Sequence, residues 1–267
     1  MKPWRRNDNR ILSYAAAGSG PPLVLLHGWA MSATVFNEAM LELSNEFRVL
    51  APDLPGHGGS TAAGDYSLDA LADDLQCWMA GLELSDIRLL GWSMGGQIAL
   101  RLAARAPQRL SRLLLVATTP RFVINDEWPH GLPDAQVQFL ARGLRRRFSA
   151  TLDDFFARQF ATDEVSDQRL LQLQQQVSPA VRPPQVEAAL AALETLRFSD
   201  QRESVATLAV PTLVMHGEQD AIIPVAAGRY LAGQLPESRL QLLPGLGHAP
   251  FLSRPRDSFQ LWREFCR

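Results

Sequence analysis

Six short apolar runs recur along the chain, and each one stops at a glycine, a proline or a polar loop. The runs lie at residues 21–28, 47–60, 87–93, 112–120, 211–220 and 238–248. Continuous apolar positions are typical of strands buried on both faces, as in a parallel sheet. Helix-like segments separate the runs, among them residues 67–82, which follow an N-cap candidate at Ser67, and residues 94–107. This alternation predicts an α/β fold with a mostly parallel central sheet flanked by helices.

The alternation stops between residues 121 and 200, where the pattern is helical throughout. Four segments in this stretch carry apolar positions at helical spacing, and no convincing strand separates them. These segments are DAQVQFLARGLRRRF, LDDFFARQF, QRLLQLQQQV and PQVEAALAALETL. We therefore predict an all-helical cap, or lid, over residues 121–200, inserted into a core made of residues 1–120 and 201–267.

Composition narrows the classes of function. The chain has 267 residues, of which 46% are hydrophobic, so one sizeable core is expected. A net charge of −2 does not favour nucleic acid as a partner. Two cysteines far apart in sequence make neither a disulfide framework nor a metal-binding pattern. With a charged start and no long apolar stretch, we expect a cytoplasmic protein that crosses no membrane.

A serine lies between two glycines at the end of the third apolar run, in the segment Gly91-Trp92-Ser93-Met94-Gly95. A Gly-x-Ser-x-Gly segment between a strand and a helix is typical of a nucleophile on a tight, strained turn. The following helix N-terminus directs N–H groups at any anion that develops there. We therefore interpret Ser93 as a nucleophile, and the alternative is a purely structural turn.

A serine nucleophile needs a base, and the base needs an orienting carboxylate. Of the five histidines, His248 follows the sixth run in a Gly/Pro loop and is the best candidate for the base. Asp220 follows the fifth run and is the first candidate for the carboxylate, with Glu218 in reserve. The resulting chain order is Ser, Asp, His, which is the order of the α/β-hydrolases.

Motifs spread over the whole chain, apart from the cap, resemble those of the α/β-hydrolase superfamily. They are LLHGWAMSATVF, DLPGHGGS, GWSMGG, HGEQDAIIP and GLGHAPFLSRP. Within the superfamily, HGWAMSATVF, GWSMGGQIAL and GHAPFLSRP are most similar to the pimeloyl-[acyl-carrier protein] methyl ester carboxylesterases of biotin synthesis. The resemblance implies a serine esterase that needs no metal or organic cofactor. It also implies a partner, an acyl-carrier protein with a methyl-pimeloyl phosphopantetheine arm.

The resemblance also assigns roles around the nucleophile. Acyl transfer needs two N–H donors for the oxyanion, expected from the backbones of Met94 and Trp29. Trp29, Trp92 and Phe155 are the predicted substrate-binding side chains. The alternative for Trp29 is a core aromatic. Phe155 and Phe156 either line an apolar tunnel for an acyl chain or form the core of the cap. His27 is expected to shape the loop that carries Trp29. Two further polar residues, Asp53 and His57, are expected to be structural.

Arginines cluster in the cap. Arg142, Arg145 and Arg146 fall on one helical face, and Arg158 follows in the next predicted helix. Such a face beside an active-site mouth suits an acidic partner, and we predict that these four arginines dock the carrier protein. The alternative is a solvated face, because Asp153 and Asp154 lie nearby.

Two other functions remain open from the sequence. One is a different hydrolase of the same fold, such as a general short-chain carboxylesterase, a lactonase or a C–C bond hydrolase. The other is a non-catalytic receptor that keeps the hydrolase fold.

Overall fold

The computed structural model describes residues 1–267 and contains one eight-stranded sheet. Its strands are β1 (Lys2–Arg5), β2 (Ile11–Ala17), β3 (Pro22–Leu26), β4 (Arg48–Pro52), β5 (Ile87–Trp92), β6 (Leu110–Val116), β7 (Thr212–Gly217) and β8 (Ser238–Leu243). Its α-helices are α1 (Asn37–Leu43), α2 (Leu68–Gly81), α3 (Met94–Arg105), α4 (Asp134–Arg146), α5 (Phe148–Ala157), α6 (Asp167–Val177), α7 (Val186–Phe198), α8 (Arg202–Val205), α9 (Val225–Gln234), α10 (Pro250–Ser253) and α11 (Pro255–Cys266). No helix combines the length and the apolar character needed to span a bilayer.

The sheet follows the order β1-β2-β4-β3-β5-β6-β7-β8, and every pair from β4 to β8 in that order is parallel. All six apolar runs form these parallel strands, which confirms the predicted fold class. The two N-terminal strands, β1 and β2, were not predicted; they pair antiparallel with each other, and β2 pairs antiparallel with β4. β1 lacks an apolar run because it is a largely exposed edge strand, and the run of β2 is interrupted by Ser13.

The sheet separates two apolar layers. In β3, Val24 and Leu26 face one layer, while Leu23 and Leu25 face the other. All four side chains are fully buried. Both faces of the strand are covered, so alternate positions have no reason to be polar, and the run is apolar throughout.

Both predicted core helices are present and bring chemistry to the sheet edge. The Ser67 hydroxyl accepts a hydrogen bond from the Ala70 N–H at 3.3 Å and so caps α2 as expected. The N-terminus of α3 follows β5 directly after Ser93. Because parallel strands end at the same edge, the residues after β3, β5, β7 and β8 lie close together there.

The four helices α4 to α7 lie between β6 and β7, where the sequence predicts helices only. The two ends of this stretch meet, because Arg121 and Asp200 form an isolated bridge and an ion pair of 2.9 Å. We propose residues 121–200 as the cap on this basis. The Trp29 indole N–H donates to the carbonyl of Ala189 in α7 at 2.8 Å, which fastens the loop after β3 to the cap.

Candidate active site

Ser93 has the strained backbone expected of a nucleophile elbow. Its φ of 55° and ψ of −118° lie in a region that residues other than glycine rarely adopt. Surrounding backbone hydrogen bonds hold it there: the Ser93 N–H donates to Val116 at 2.9 Å, and the Ser93 carbonyl accepts from Gly96 at 2.9 Å. The Ser93 side chain therefore lies at the carboxyl edge of β5, at the start of α3.

The two glycines of the elbow have no room for a side chain. A Cβ on Gly91 would overlap the backbone of Gly95, and one on Gly95 would overlap the carbonyl oxygens of Leu26 and His27. Gly91 therefore allows α3 to pack tightly against β5, and Gly95 allows it to pack tightly against the end of β3. This close approach sets the distance between Ser93 and the loop that carries Trp29.

We expect Gly95→Ala to lower the free energy of unfolding by about 1 to 3 kcal/mol, because its methyl group forces α3 away from β3. Esterase activity should fall with it, since the loop after β3 shifts relative to Ser93. Urea unfolding and initial rates measure both effects. The matched control is Gly233→Ala on α9, where a Cβ meets no atom within 4 Å. This control should keep its activity and be at least as stable as wild type, because alanine favours the helix more than glycine does. An unchanged Gly95→Ala would contradict the packing argument.

Asp220 and His248 form a buried pair beside the sheet edge. His248 Nδ1 lies 2.7 Å from Asp220 Oδ2, and both side chains are almost completely buried. The other carboxylate oxygen, Oδ1, accepts backbone N–H groups from Ile222 and Ile223, each at 2.8 Å. Burial alone would raise the pKa of Asp220, but the charge of His248 and hydrogen bonds from His216 and His248 outweigh it and hold the pKa well below its usual range. Asp220 is therefore an anion aligned with the imidazole.

His216 is a neighbour of this pair that we did not predict. Its Nε2 lies 2.9 Å from the carbonyl oxygen of Ile223 and 3.3 Å from Asp220 Oδ2. A carbonyl only accepts, so Nε2 carries the proton and donates to both oxygens. The signal in the sequence is its position four residues before Asp220, at the end of an apolar run.

Trp92 connects the strand that precedes Ser93 to the histidine, and substrate binding by its side chain stays a prediction. Its indole N–H donates to the carbonyl of His248 at 2.8 Å, and its ring packs edge-on against Phe251 at 5.1 Å. The side chain is buried in the core layer that also contains Phe36 and Trp262. Side chains alternate along a strand, and Trp92 lies on the same face of β5 as Leu90, within this core layer.

These contacts bring Asp220 and His248 together and connect His248 to the strand that precedes Ser93. The Asp220 carboxylate binds Nδ1 of His248, which leaves Nε2 as the ring nitrogen with no protein hydrogen bond. Trp92, next to Ser93 in the chain, holds the backbone of His248. Hydrogen bonds between a nucleophile and its base often tighten only in the substrate complex. The arrangement suits proton transfer from a serine hydroxyl to a neutral imidazole.

Two backbone N–H groups near Ser93 have no protein acceptor. One belongs to Met94, the first residue of α3, and the other to Trp29 in the loop after β3. The next residue, Ala30, has a φ of 61°. The side chain of His27 stabilises this loop through two hydrogen bonds. Leu54 N–H donates to His27 Nε2 at 2.9 Å, so His27 Nδ1–H donates to the Gly28 carbonyl at 2.8 Å. These two free donors are available for the oxyanion hole, which stays a prediction.

Asp53 and His57 have structural contacts, as the sequence suggests. Asp53 is fully buried and accepts N–H groups from Ala33 at 2.8 Å and Gly59 at 2.9 Å. Burial lowers the pKa of His27 to about 4, and burial together with the neighbouring His27 lowers the pKa of His57 to about 3. Both imidazoles are therefore neutral at physiological pH.

These two buried histidines should make the protein less stable in mild acid. Between pH 6.5 and 4 the unfolded chain binds protons at these histidines that the folded chain does not. The free energy of unfolding therefore falls as the pH is lowered, by about 2 kcal/mol per histidine at about pH 5 relative to neutral pH. We expect His57→Phe, which cannot be protonated, to lose less stability than wild type between about pH 7.5 and about pH 5. Urea unfolding at both pH values measures this. The control is His130→Gln, at a partly exposed histidine, and an equal loss in wild type and His57→Phe would contradict the assignment.

A cavity of about 690 Å³ lies between α4 and α5 of the cap. Its wall is largely apolar and includes Phe122, Leu132, Leu140, Phe155 and Ile222. It approaches the catalytic edge at two points. Phe155 packs edge-on against Trp29 at 4.9 Å, and Ile222 donates its backbone N–H to Asp220. The volume is in the range of pockets that bind small organic ligands.

Arginines line the same cavity, but they are not the predicted set. The cationic lining residues are Arg142, Arg146, Arg147 and Arg158. Arg147 was not among the four predicted docking residues; it directly follows the end of α4. Arg145 does not line this cavity. It lines a second groove, which it shares with Arg142 and with Leu193, Glu194 and Arg197 of α7, and its predicted part in docking stays a prediction. Among the acids, Asp154 also lines the cavity.

No group of three or more His, Cys, Asp or Glu side chains is arranged to hold a metal ion. The polar groups at the sheet edge are instead a hydroxyl, an imidazole, a carboxylate and backbone N–H donors. They are the groups that acyl transfer through a serine requires.

Comparisons of the sequence point to one family. The model of the alpha/beta hydrolase fold family matches residues 21–255. Two curated proteins named pimeloyl-[acyl-carrier protein] methyl ester esterase are each 38% identical to the chain over 240 residues. The one from Nitrosomonas europaea is matched over 90% of this chain and 93% of its own length, and the one from Chromobacterium violaceum over 90% and 92%.

Solved structures show the same fold. An esterase from Exiguobacterium antarcticum superposes with a TM-score of 0.92 at 25% identity, over 99% of this chain and 98% of that one. An enol-lactonase from Burkholderia xenovorans has a TM-score of 0.86 at 25% identity, over 99% of each chain.

Proposed function

The chain belongs to the alpha/beta hydrolase family, and from this premise we propose that it hydrolyses the methyl ester of pimeloyl-[acyl-carrier protein] in biotin synthesis. It is a carboxylic ester hydrolase, as its relatives named as esterases indicate. The observation that carries the substrate assignment is the apolar cavity lined by arginines next to the catalytic edge. The identity of 38% to two esterases named for this substrate supports it.

Ser93 Oγ attacks the ester carbonyl, and His248 Nε2 accepts the hydroxyl proton. The Met94 and Trp29 N–H groups donate to the oxyanion. His248 then returns the proton to the leaving methanol, which produces an acyl-enzyme. Water, deprotonated by His248, adds to the acyl-enzyme and releases the free acid, and Ser93 recovers its proton. Asp220 keeps Nδ1 protonated and stabilises the imidazolium in both halves.

The cavity accounts for both ends of the proposed substrate. The methyl-pimeloyl arm is a long, mostly apolar chain, and the apolar wall with Phe155 and Ile222 provides a path towards Ser93. The carrier protein is acidic and its arm is attached through a phosphate. Arg142, Arg146, Arg147 and Arg158 supply the complementary charge, and Asp154 offsets part of it. No cofactor takes part in this chemistry.

Charge reversal separates carrier docking from ester hydrolysis. We expect Arg142→Glu combined with Arg146→Glu to raise KM for the methyl-pimeloyl carrier protein by about tenfold or more, because the acidic partner is now repelled. Hydrolysis of p-nitrophenyl butyrate should remain within about twofold, since neither side chain contacts the predicted triad. Steady-state kinetics with both substrates measures this difference.

Arg145→Glu is the matched control, because it reverses the same charge on the same helix but outside the cavity. We expect it to leave KM for the carrier nearly unchanged. Equal effects of Arg145→Glu and the double variant would contradict docking at the cavity and leave only a general charge effect.

The second candidate is an esterase or lactonase for small substrates of the same fold. The structural similarity to the enol-lactonase supports this alternative. In that case the double variant changes neither substrate's kinetics, and the carrier-bound ester is no better a substrate than a free methyl ester.

A further inference from the structure

The loop that carries His248 is held by the cap as well as by the core. The carbonyl of Gln159, two residues beyond the end of α5, accepts the N–H of His248 at 2.7 Å and that of Ala249 at 3.2 Å. The side chain of Gln159 is buried, and its amide donates to the Phe155 carbonyl at 3.3 Å. The backbone of His248 is therefore bound on its N–H side to a cap residue 89 positions earlier.

Glu164 completes this contact. Its Oε2 accepts the N–H of Gly247 at 2.8 Å and the N–H of Ala161 at 2.5 Å. Its Oε1 accepts the hydroxyl of Ser253. One carboxylate thus joins the cap to both sides of His248, at the residue before it and at the end of α10. We call Gln159 and Glu164 the histidine clamp.

Gly247 shows how closely the two parts approach. A Cβ at Gly247 would meet the Gln159 carbonyl, the Ala161 nitrogen and the Glu164 carboxylate. The contact therefore requires glycine at this position. Such a fit leaves the loop little freedom to shift while the cap stays in place.

Three contacts then determine where the imidazole points. Gln159 holds the N–H of His248, Trp92 holds its carbonyl, and Asp220 holds its ring. The last two belong to the core, and the first belongs to the cap. A shift of about 1 Å in a catalytic group lowers rates on the order of 100-fold, so the cap contact bears directly on catalysis.

We propose that Glu164 is a positioning residue, through which the cap aligns His248 with Ser93. This inference rests on the proposed role of His248 as the general base. On this proposal the cap contributes to the chemical step with every ester. This contribution is separate from the role of the cap arginines in docking a carrier protein.

Glu164→Ala should lower kcat for p-nitrophenyl butyrate by roughly 10- to 100-fold, with KM little changed, because the substrate still binds but the base is misaligned. Glu164→Gln should recover most of this activity. Its amide oxygen still accepts the two N–H groups, and the Ser253 hydroxyl reverses to accept from the amide nitrogen. The matched control is Asp163→Asn, the exposed neighbouring carboxylate, which should keep full activity.

A double-mutant cycle with His248→Ala separates positioning from folding. If Glu164 acts through His248, Glu164→Ala has no further effect on the residual rate of His248→Ala. A full additional loss in that background, or a kcat for Glu164→Ala within about twofold of wild type, would overturn the proposal. If Glu164→Ala does not fold, Glu164→Asp replaces it, because the shorter side chain cannot reach both Gly247 and Ser253.

The outcomes distinguish this proposal from the proposed function. If wild type hydrolyses small esters but not the carrier-bound ester, the substrate assignment fails, and the Glu164 cycle still decides the positioning role. If Ser93→Ala and His248→Ala keep wild-type rates, the catalytic assignment fails, and the positioning role fails with it.

Discussion

Ser93→Ala should abolish ester hydrolysis, with kcat lowered on the order of 10⁵- to 10⁶-fold. The hydroxyl at the strained elbow is the only proposed nucleophile, and without it no acyl-enzyme forms. The imidazole of His248 and the free N–H groups of Met94 and Trp29 remain, so a small rate above that of water is expected. Initial rates with p-nitrophenyl butyrate and covalent labelling by a fluorophosphonate probe measure the loss.

The labelling experiment has a direct control in Ser111→Ala, which removes a partly exposed hydroxyl on β6, away from the site. Wild type and this control should be labelled equally, and Ser93→Ala should not be labelled. A labelled Ser93→Ala would mean that another residue is the nucleophile. Absence of labelling in wild type would favour a receptor that keeps the fold without the activity.

Asp220→Asn should lower kcat by roughly 10⁴-fold while the protein stays folded. The oxygen that accepts from Ile222 and Ile223 is retained, so the loop keeps its hydrogen bonds. The new amide nitrogen, however, faces two donors, Nδ1 of His248 and Nε2 of His216. His248 then changes to the tautomer with its proton on Nε2 and no longer accepts the serine proton.

Glu218→Gln tests the reserve candidate for the same role. Glu218 lies near the surface, 3.6 Å from Arg229, and does not contact His248. Its substitution should leave kcat within about twofold of wild type. If Glu218→Gln were the more damaging of the two changes, the assignment of the triad carboxylate would be wrong.

The parallel part of the sheet could be predicted because burial on both faces produces continuous apolar runs. In β5, Leu89 faces one core layer and Leu90 the other, so neither position is polar. The antiparallel strands β1 and β2 leave no such signal, since β1 is exposed at the edge. The four helices between β6 and β7 were also predictable, because each carries its own apolar spacing.

Local spacing predicted the chemical residues better than the residues that support them. Ser93 and Asp220 each follow an apolar run, so the end of a strand indicates them. The contacts of Trp92 depend on which face of the sheet its strand position occupies, and the surroundings of Arg145 depend on residues of α7. Glu164 contacts Gly247 across 83 residues, and nothing in the local sequence indicates such a pair.

The most direct test of the central claim is intact-protein mass spectrometry of methyl-pimeloyl carrier protein incubated with the wild-type enzyme and with Ser93→Ala. We expect wild type to decrease the mass of the carrier by one CH₂ group, as the methyl ester becomes the free acid, and Ser93→Ala to leave it unchanged. If wild type leaves the carrier unchanged while it still hydrolyses p-nitrophenyl butyrate, the carrier-bound substrate is wrong. If Ser93→Ala converts the carrier as fast as wild type, the serine mechanism is wrong.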